Sequence, residues 1–188
     1  MATTRIFQPV PLEGHEWVQP VEERDFDAIY QLDGSPAAER WSPIPVRRLE
    51  VDDQGRPLQP SDLPWLGSHA LVLRDRAYRA IGGLLAASGE FLELDLVDGT
   101  DRLWLYNVCC IADVLDEAAS DLVRFPSTGR VMQIRRHVFS SAGLEGLVAF
   151  RVPQVRSLFL TDAVIDAITG SQLRAGFEVV WRDDQARV

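Results

Sequence analysis

Residues Leu147 to Trp181 read LVAFRVPQVRSLFLTDAVIDAITGSQLRAGFEVVW, and this stretch decides what kind of fold the chain adopts. An apolar strand closes on Phe150-Arg151. A second short strand, Leu158-Phe159-Leu160, runs directly into a helix. Thr161 stands where an N-cap is needed, and Asp162 places negative charge at the positive end of the helix dipole. Val164, Ile165 and Ile168 give that helix one apolar face, and Gly170 ends it. Gly176 opens a strand in which Phe177, Val179 and Trp181 are spaced to share a face. Strand, strand, helix, strand with such short connections lacks the regular alternation of strands and long helices that a doubly wound parallel sheet requires.

Upstream, Glu90–Val97 and Arg102–Val108 predict a hairpin about the Asp98-Gly99 turn signal. Leu92, Leu94 and Leu96 alternate with Glu93 and Asp95. On the return strand Leu103 and Leu105 share one face and Trp104 and Tyr106 the other, so both faces of that strand need cover. His69–Leu73 reads as a strand or the approach to a helix, which Asp75 caps and which runs to about Ala87, with Tyr78, Ile81, Leu84 and Leu85 as its apolar stripe. Gly82-Gly83 weakens it by roughly 1 kcal/mol per glycine against alanine, so packing must hold it. Beyond the hairpin, Ala112–Asp121 predicts a short helix or turn and Val131–Val138 a partly exposed strand. This order predicts an α+β fold with a largely antiparallel or mixed sheet and two or three helices.

The first 66 residues differ in composition. Nine of the 11 prolines lie at or before Pro64, and proline fixes φ and removes a donor, so long helices and central strands are disfavoured there. Short strands are expected at Arg5–Val10 and Val46–Val51. The acidic run Glu22-Glu23-Arg24-Asp25-Phe26-Asp27 begins a short helix toward Tyr30, broken by Leu32-Asp33-Gly34-Ser35-Pro36. Trp17, Phe26, Tyr30 and Trp41 call for burial. Residues 1–66 are therefore read as a Pro-rich arm packed on an α+β domain of residues 67–188, the two forming one structural unit.

Charge and composition exclude several functions. The chain of 188 residues has a net charge of −9, the wrong sign for neutralising phosphates, so neither nucleic acid nor an anionic membrane surface is expected as a partner. All 19 basic residues are arginine, which rules out a lysine Schiff base, a Walker A lysine and a Ser-Lys dyad. His15, His69 and His137 are scattered without ligand spacing, and no Gly-x-Ser-x-Gly elbow or phosphate loop is present. Cys109 and Cys110 are adjacent and point to opposite faces of a strand, which reads as two small buried hydrophobes in a reducing compartment. No metal and no cofactor is implied. Carboxylates such as Glu93 and Asp95 share a strand face, a pairing that acid/base work can use and that a half-exposed strand ordinarily carries as its wet face. No apolar run is long enough for a transmembrane helix and no secretory leader is recognised, so the expected compartment is the cytoplasm.

A resemblance adds to this reading. From Leu71 to Trp181 the chain resembles a family of bacterial immunity proteins from polymorphic toxin systems, the eleventh immunity-domain type, long catalogued as a domain of unknown function. Arg74-Asp75, Gly89-Glu90-Phe91-Leu92 and Leu103-Trp104-Leu105-Tyr106-Asn107-Val108 carry it first. Val114-Leu115-Asp116 with Ser120, Phe150-Arg151, Leu160-Thr161-Asp162 and Gly176-Phe177 complete it. Thr161-Asp162 stands where the family often has Ser-Glu, and Ala175-Gly176 where it has Thr-Gly. The resemblance implies a non-catalytic protein that binds and neutralises a cognate toxin, and it supplies no catalytic residues. Against a basic toxin, Glu22, Glu23, Asp25, Phe26 and Asp27 are the candidate contact residues. The alternatives are a small carboxylate-based hydrolase and a scaffold or regulatory domain that binds another protein, a second copy of itself included.

Overall fold

Alternating apolar residues in the hairpin and in the closing segment build two separate sheets with a shared core between them. A computed structural model describes residues 4–184. In chain order the elements are β1 (Arg5–Pro9), β2 (Trp17–Pro20), α1 (Glu23–Tyr30), β3 (Ile44–Leu49), β4 (Leu71–Arg74), α2 (Asp75–Leu85), β5 (Gly89–Leu96), β6 (Leu103–Val108), β7 (Asp121–Arg124), β8 (Val131–Arg136), β9 (Ala149–Arg151), β10 (Leu158–Thr161), α3 (Asp162–Gly170) and β11 (Phe177–Arg182). One sheet has the order β2-β3-β5-β6-β4 and the other β11-β1-β10-β9, while β7 and β8 form a separate two-stranded ribbon. The pairing of β3 with β5 is parallel and the other strand pairs are antiparallel. The protein is an α+β fold with mixed sheets.

The period-2 pattern of the hairpin assigns each face. Leu92, Leu94, Leu103 and Leu105 join Val18, Val46 and Val72 on the outer face of the five-stranded sheet, where Ile29 and Leu32 cover them. On the inner face Leu71, Leu73, Tyr106 and Val108 meet Ala77, Ile81 and Leu85 of α2, Val164 and Ile168 of α3, and Phe7, Ala149, Leu158 and Leu160 of the four-stranded sheet. The far side of that second sheet, with Ile6, Phe150, Phe159 and Trp181, packs on Val114, Leu115, Phe139 and Leu144. Leu122 and Ile134 attach the ribbon to the same cluster. Both faces of β6 are covered, as its alternation predicts. No helix among the described residues is long and apolar enough to cross a membrane.

The Pro-rich first 66 residues enter both sheets. β1 lies between β10 and β11, and β3 lies between β2 and β5. Pro9 and Pro20 are the last residues of their strands, where a missing donor does least damage. The expected burial of the N-terminal aromatics is overturned: Trp17, Phe26 and Tyr30 are exposed and Trp41 is half-buried. The reason is that Ile29 is the buried residue of α1, and with Leu32 it supplies the contact that holds this helix to the sheet.

Two local expectations are corrected, and the short helix or turn expected over Ala112–Asp121 is the turn. Phe177 and Trp181 do not share a face. Ile6 opposes Trp181 while Phe7 opposes Val179, so Val180 is a bulge residue that flips the strand's alternation. Phe177 then faces the shared core and Trp181 the outer cluster. Ala112–Asp121 holds no helix; the Asp116 carboxylate accepts the Ala118 and Ala119 amides at 3.0 Å, making an Asx turn that leads into β7. Thr161 occupies the N-cap position without capping. Its hydroxyl donates instead to the Leu147 and Val148 carbonyls, 3.2 Å each, and Asp162 accepts the Arg5 amide at 2.8 Å and its guanidinium at 2.6 Å.

Candidate functional site

The sequence of α1 leaves most of its surface without a packing role. Glu23 and Asp25 occupy the first turn, where carboxylates favour the helix dipole. Glu22 sits at the N-cap in extended backbone and makes no capping bond; it pairs with Arg24 at 2.8 Å. With Ile29 anchored inward, Glu22, Glu23, Phe26 and Asp27 all lie exposed and Asp25 is half-buried. All five candidate contact residues therefore share one short segment. Val21 before the helix is exposed as well, and Phe26 and Tyr30 retain 45% and 53% of their surface. Spaced four apart, these two rings fall on one side of the helix.

Between α1 and the turn before β4 runs a groove of about 190 Å³, lined by Phe26, Asp27, Ile29, Tyr30, Leu66 and His69. Its walls are fixed from beneath. His69 meets the Tyr30 ring edge-on at 5.4 Å. The Arg156 guanidinium lies 5.0 Å from the centre of the same ring and donates to the Tyr30 carbonyl at 2.7 Å. Arg151 is buried and has no carboxylate partner among the described residues. It donates to the carbonyls of Val108 (3.3 Å), His69 (3.1 Å) and Arg156, so one guanidinium ties three chain segments behind the groove. Burial, and then the charges of Arg151 and Arg156, hold the His69 imidazole below its ordinary pKa; it is neutral at pH 7. The groove thus presents aromatic faces, a neutral imidazole and the Asp27 carboxylate. That set suits a cationic or aromatic side chain, and its lining holds no nucleophile with an adjacent base.

Two larger clefts, about 390 and 330 Å³, lie around Arg48, Arg74, Arg76 and Arg79. Those four arginines are matched by acids, while Arg174, which also lines the smaller of the two, has only the Pro60 carbonyl at 3.5 Å as a side-chain partner among the described residues. Arg74 pairs with Glu16 and Asp101, Arg76 with Asp62 at 3.0 Å, Arg79 with Asp75 at 2.7 Å and Arg48 with Asp98 at 3.3 Å. Glu16 is buried and also accepts the Ser61 amide at 3.0 Å. This network joins the N-terminal segment to β4, and its charges are used up in doing so.

The residues that sequence reading linked to chemistry are dispersed. Glu93 and Asp95 are exposed on β5, and neither lines any of the three clefts. His137 packs on Phe139 and Phe159, and burial lowers it to about 4. Cys109 and Cys110 are free and half-buried. Burial and the nearby Glu90 raise the Cys109 thiol, the opposite of what an attacking thiolate requires. Among the described residues no three His, Cys, Asp or Glu side chains converge as metal ligands. Sequence reading missed Tyr30, Leu66 and His69 as partners of Phe26. The four-residue step from Phe26 to Tyr30 was the available signal, whereas the approach of the Leu66–His69 turn is a tertiary fact. Comparison with known protein families and with curated proteins finds no match to this chain.

Proposed function

We infer that this chain is a non-catalytic immunity protein that binds a cognate bacterial toxin and neutralises it in the cytoplasm of the producing cell, with the α1 face as its contact surface. The observation that carries the reading is that Phe26 and Tyr30 lie exposed on one side of α1, beside the carboxylates of Glu22, Glu23 and Asp27. Exposed aromatics beside a shaped groove mark a surface awaiting a partner. Aromatic anchors within a charged rim are the residue types that dominate binding energy. The acidic rim and the net charge of −9 match a basic toxin and accelerate its encounter. The resemblance of Leu71–Trp181 to polymorphic-toxin immunity proteins supplies the class of partner. The reading needs no cofactor, nucleic acid or membrane.

The test is co-expression with the toxins encoded beside this gene, scored by survival and by co-purification. Wild-type chain restores growth and forms a salt-sensitive complex. A Phe26→Ser/Tyr30→Ser variant, folded but lacking both rings, loses protection. Protection by the double variant equal to wild type removes the α1 face from the reading, and failure of every adjacent toxin to be neutralised removes the immunity function itself.

A further inference from the structure

The ribbon β7–β8 plays no part in the reading above, yet its surface is as unusual as that of α1. From Asp121 to Arg136 the chain carries Arg124, Arg130, Arg135 and Arg136 against the single acid Asp121, within a chain of net charge −9. Arg124 is occupied by Glu117 and by the Gly129 carbonyl at 2.9 Å, and Arg136 donates to the Ala119 carbonyl at 2.6 Å. The guanidinium groups of Arg130 and Arg135 have no hydrogen-bond or ion-pair partner among the described residues. The tip is apolar as well as basic: Phe125 donates its amide to the Arg130 carbonyl at 2.9 Å, and Phe125 and Met132 retain 46% and 51% of their surface.

The register explains why these side chains point away from the body. Asp121 opposes Arg136 while Leu122 opposes Ile134, and Val123 opposes Gln133 while Arg124 opposes Val131. Arg135 and Met132 are therefore the unopposed residues of two bulges in a six-residue strand. Bulges re-aim side chains and twist a strand, which blocks simple edge-to-edge addition of another strand. Leu122 and Ile134 spend the ribbon's apolar side on the third core cluster, so the bulged residues are left to solvent.

We propose that the exposed length of this ribbon, from Phe125 and Arg130 at its turn to Arg135 at its other end, is a second docking surface, built for an extended acidic protein segment. Arg130 and Arg135 bind its carboxylates, and Phe125 and Met132 cover its apolar side chains. Planar guanidinium groups suit bidentate carboxylate pairing. Like charge repels a second copy of the same ribbon, which leaves an oppositely charged segment as the fitting occupant. A nucleic acid fits less well, because two free arginines neutralise few phosphates and the rest of the chain is strongly negative. The proposal is independent of the toxin reading.

The probe is a short dye-labelled peptide of glutamates flanking two leucines, titrated into the full chain at low salt. The same peptide with lysines for glutamates and a short DNA duplex are the controls. The glutamate peptide raises anisotropy saturably, and its backbone amide effects map by NMR to residues 121–137. Arg130→Glu/Arg135→Glu weakens it by about tenfold or more, Arg130→Gln/Arg135→Gln weakens it less, and Phe26→Ser/Tyr30→Ser leaves it unchanged. All these substitutions are at exposed positions, and circular dichroism verifies that the variants fold. Equal binding by both arginine variants, equal binding of the lysine peptide, tighter binding of the duplex, or amide effects off the ribbon each overturn the proposal.

Discussion

Gly176 shows how much a single residue decides. A Cβ built there would lie 2.3 Å from the Val10 carbonyl oxygen and 2.8 Å from the Leu12 amide nitrogen, both backbone atoms that cannot turn aside. Gly176→Ala is expected to lose about 2 kcal/mol or more, read as a fall in the urea midpoint, and an unchanged midpoint contradicts the close approach. The sequence showed that a strand begins at this glycine; it did not show that the N-terminal chain passes over it. His137 gives a second residue-level test. Its folded pKa of about 4 lies below the free value of 6.5 because of burial. Between those values the unfolded chain binds more protons than the folded one, so stability is full above pH 6.5 and is lost as pH falls toward 4. His69 is shifted in the same direction. Urea midpoints across this range should fall, and His137→Phe should flatten the fall; an identical pH profile in the variant refutes the burial argument.

At the scale of elements, the legible and the hidden separate on physical grounds. The hairpin β5–β6 was legible because period-2 alternation is a local pattern that both strands repeat. The helix α3 was legible from its apolar spacing, but not its stop: Gly170 is its last helical residue, Ser171 is the C-cap and Gln172 takes the left-handed conformation. The bulges at Val180, Arg135 and Met132 were not legible, because a bulge is set by the opposing strand, and β7 was obscured by acids that serve an Asx turn. The segment around Glu16 makes the same point. Its buried carboxylate has no local signature, yet it binds Arg74 and the Ser61 amide. Glu16→Ala should lose about 3 kcal/mol, since it removes the buried one of the two carboxylates on Arg74 and leaves the Ser61 amide without its acceptor. A loss below that of an ordinary surface substitution, about 0.5 kcal/mol, measured by denaturant titration, shows that the network does not staple the N-terminal segment. Helix α1 behaves oppositely: Phe26→Ser should leave the melting temperature within about 1 °C of wild type, because the helix is anchored by Ile29, whereas Tyr30→Ser, which also loses the His69 and Arg156 contacts of its ring, should lower it by about 2–4 °C without unfolding the chain.

At the scale of the whole molecule, three layers of core are stitched by a chain that enters both sheets at its beginning and returns to the four-stranded one at its end. β1 pairs with β10 and β11, so residues from both termini make one sheet. A fragment of residues 67–188 lacks β1, β2 and β3 and should fail to unfold cooperatively; a sharp thermal transition in that fragment would show that the first 66 residues only rest on the surface. The candidate site was half legible in the sequence. The acidic run with its aromatic was visible as composition, but the expectation that aromatics are buried concealed that Phe26 and Tyr30 stay in water, and only the packing of Ile29 reveals it. The most direct test of the account is the affinity of the purified chain for the toxin encoded beside it, measured by calorimetry for wild type and for Phe26→Ser/Tyr30→Ser. The account predicts tight, salt-dependent binding that the double variant weakens by about 100-fold or more while its thermal unfolding remains cooperative. Equal affinity of the two proteins would contradict it.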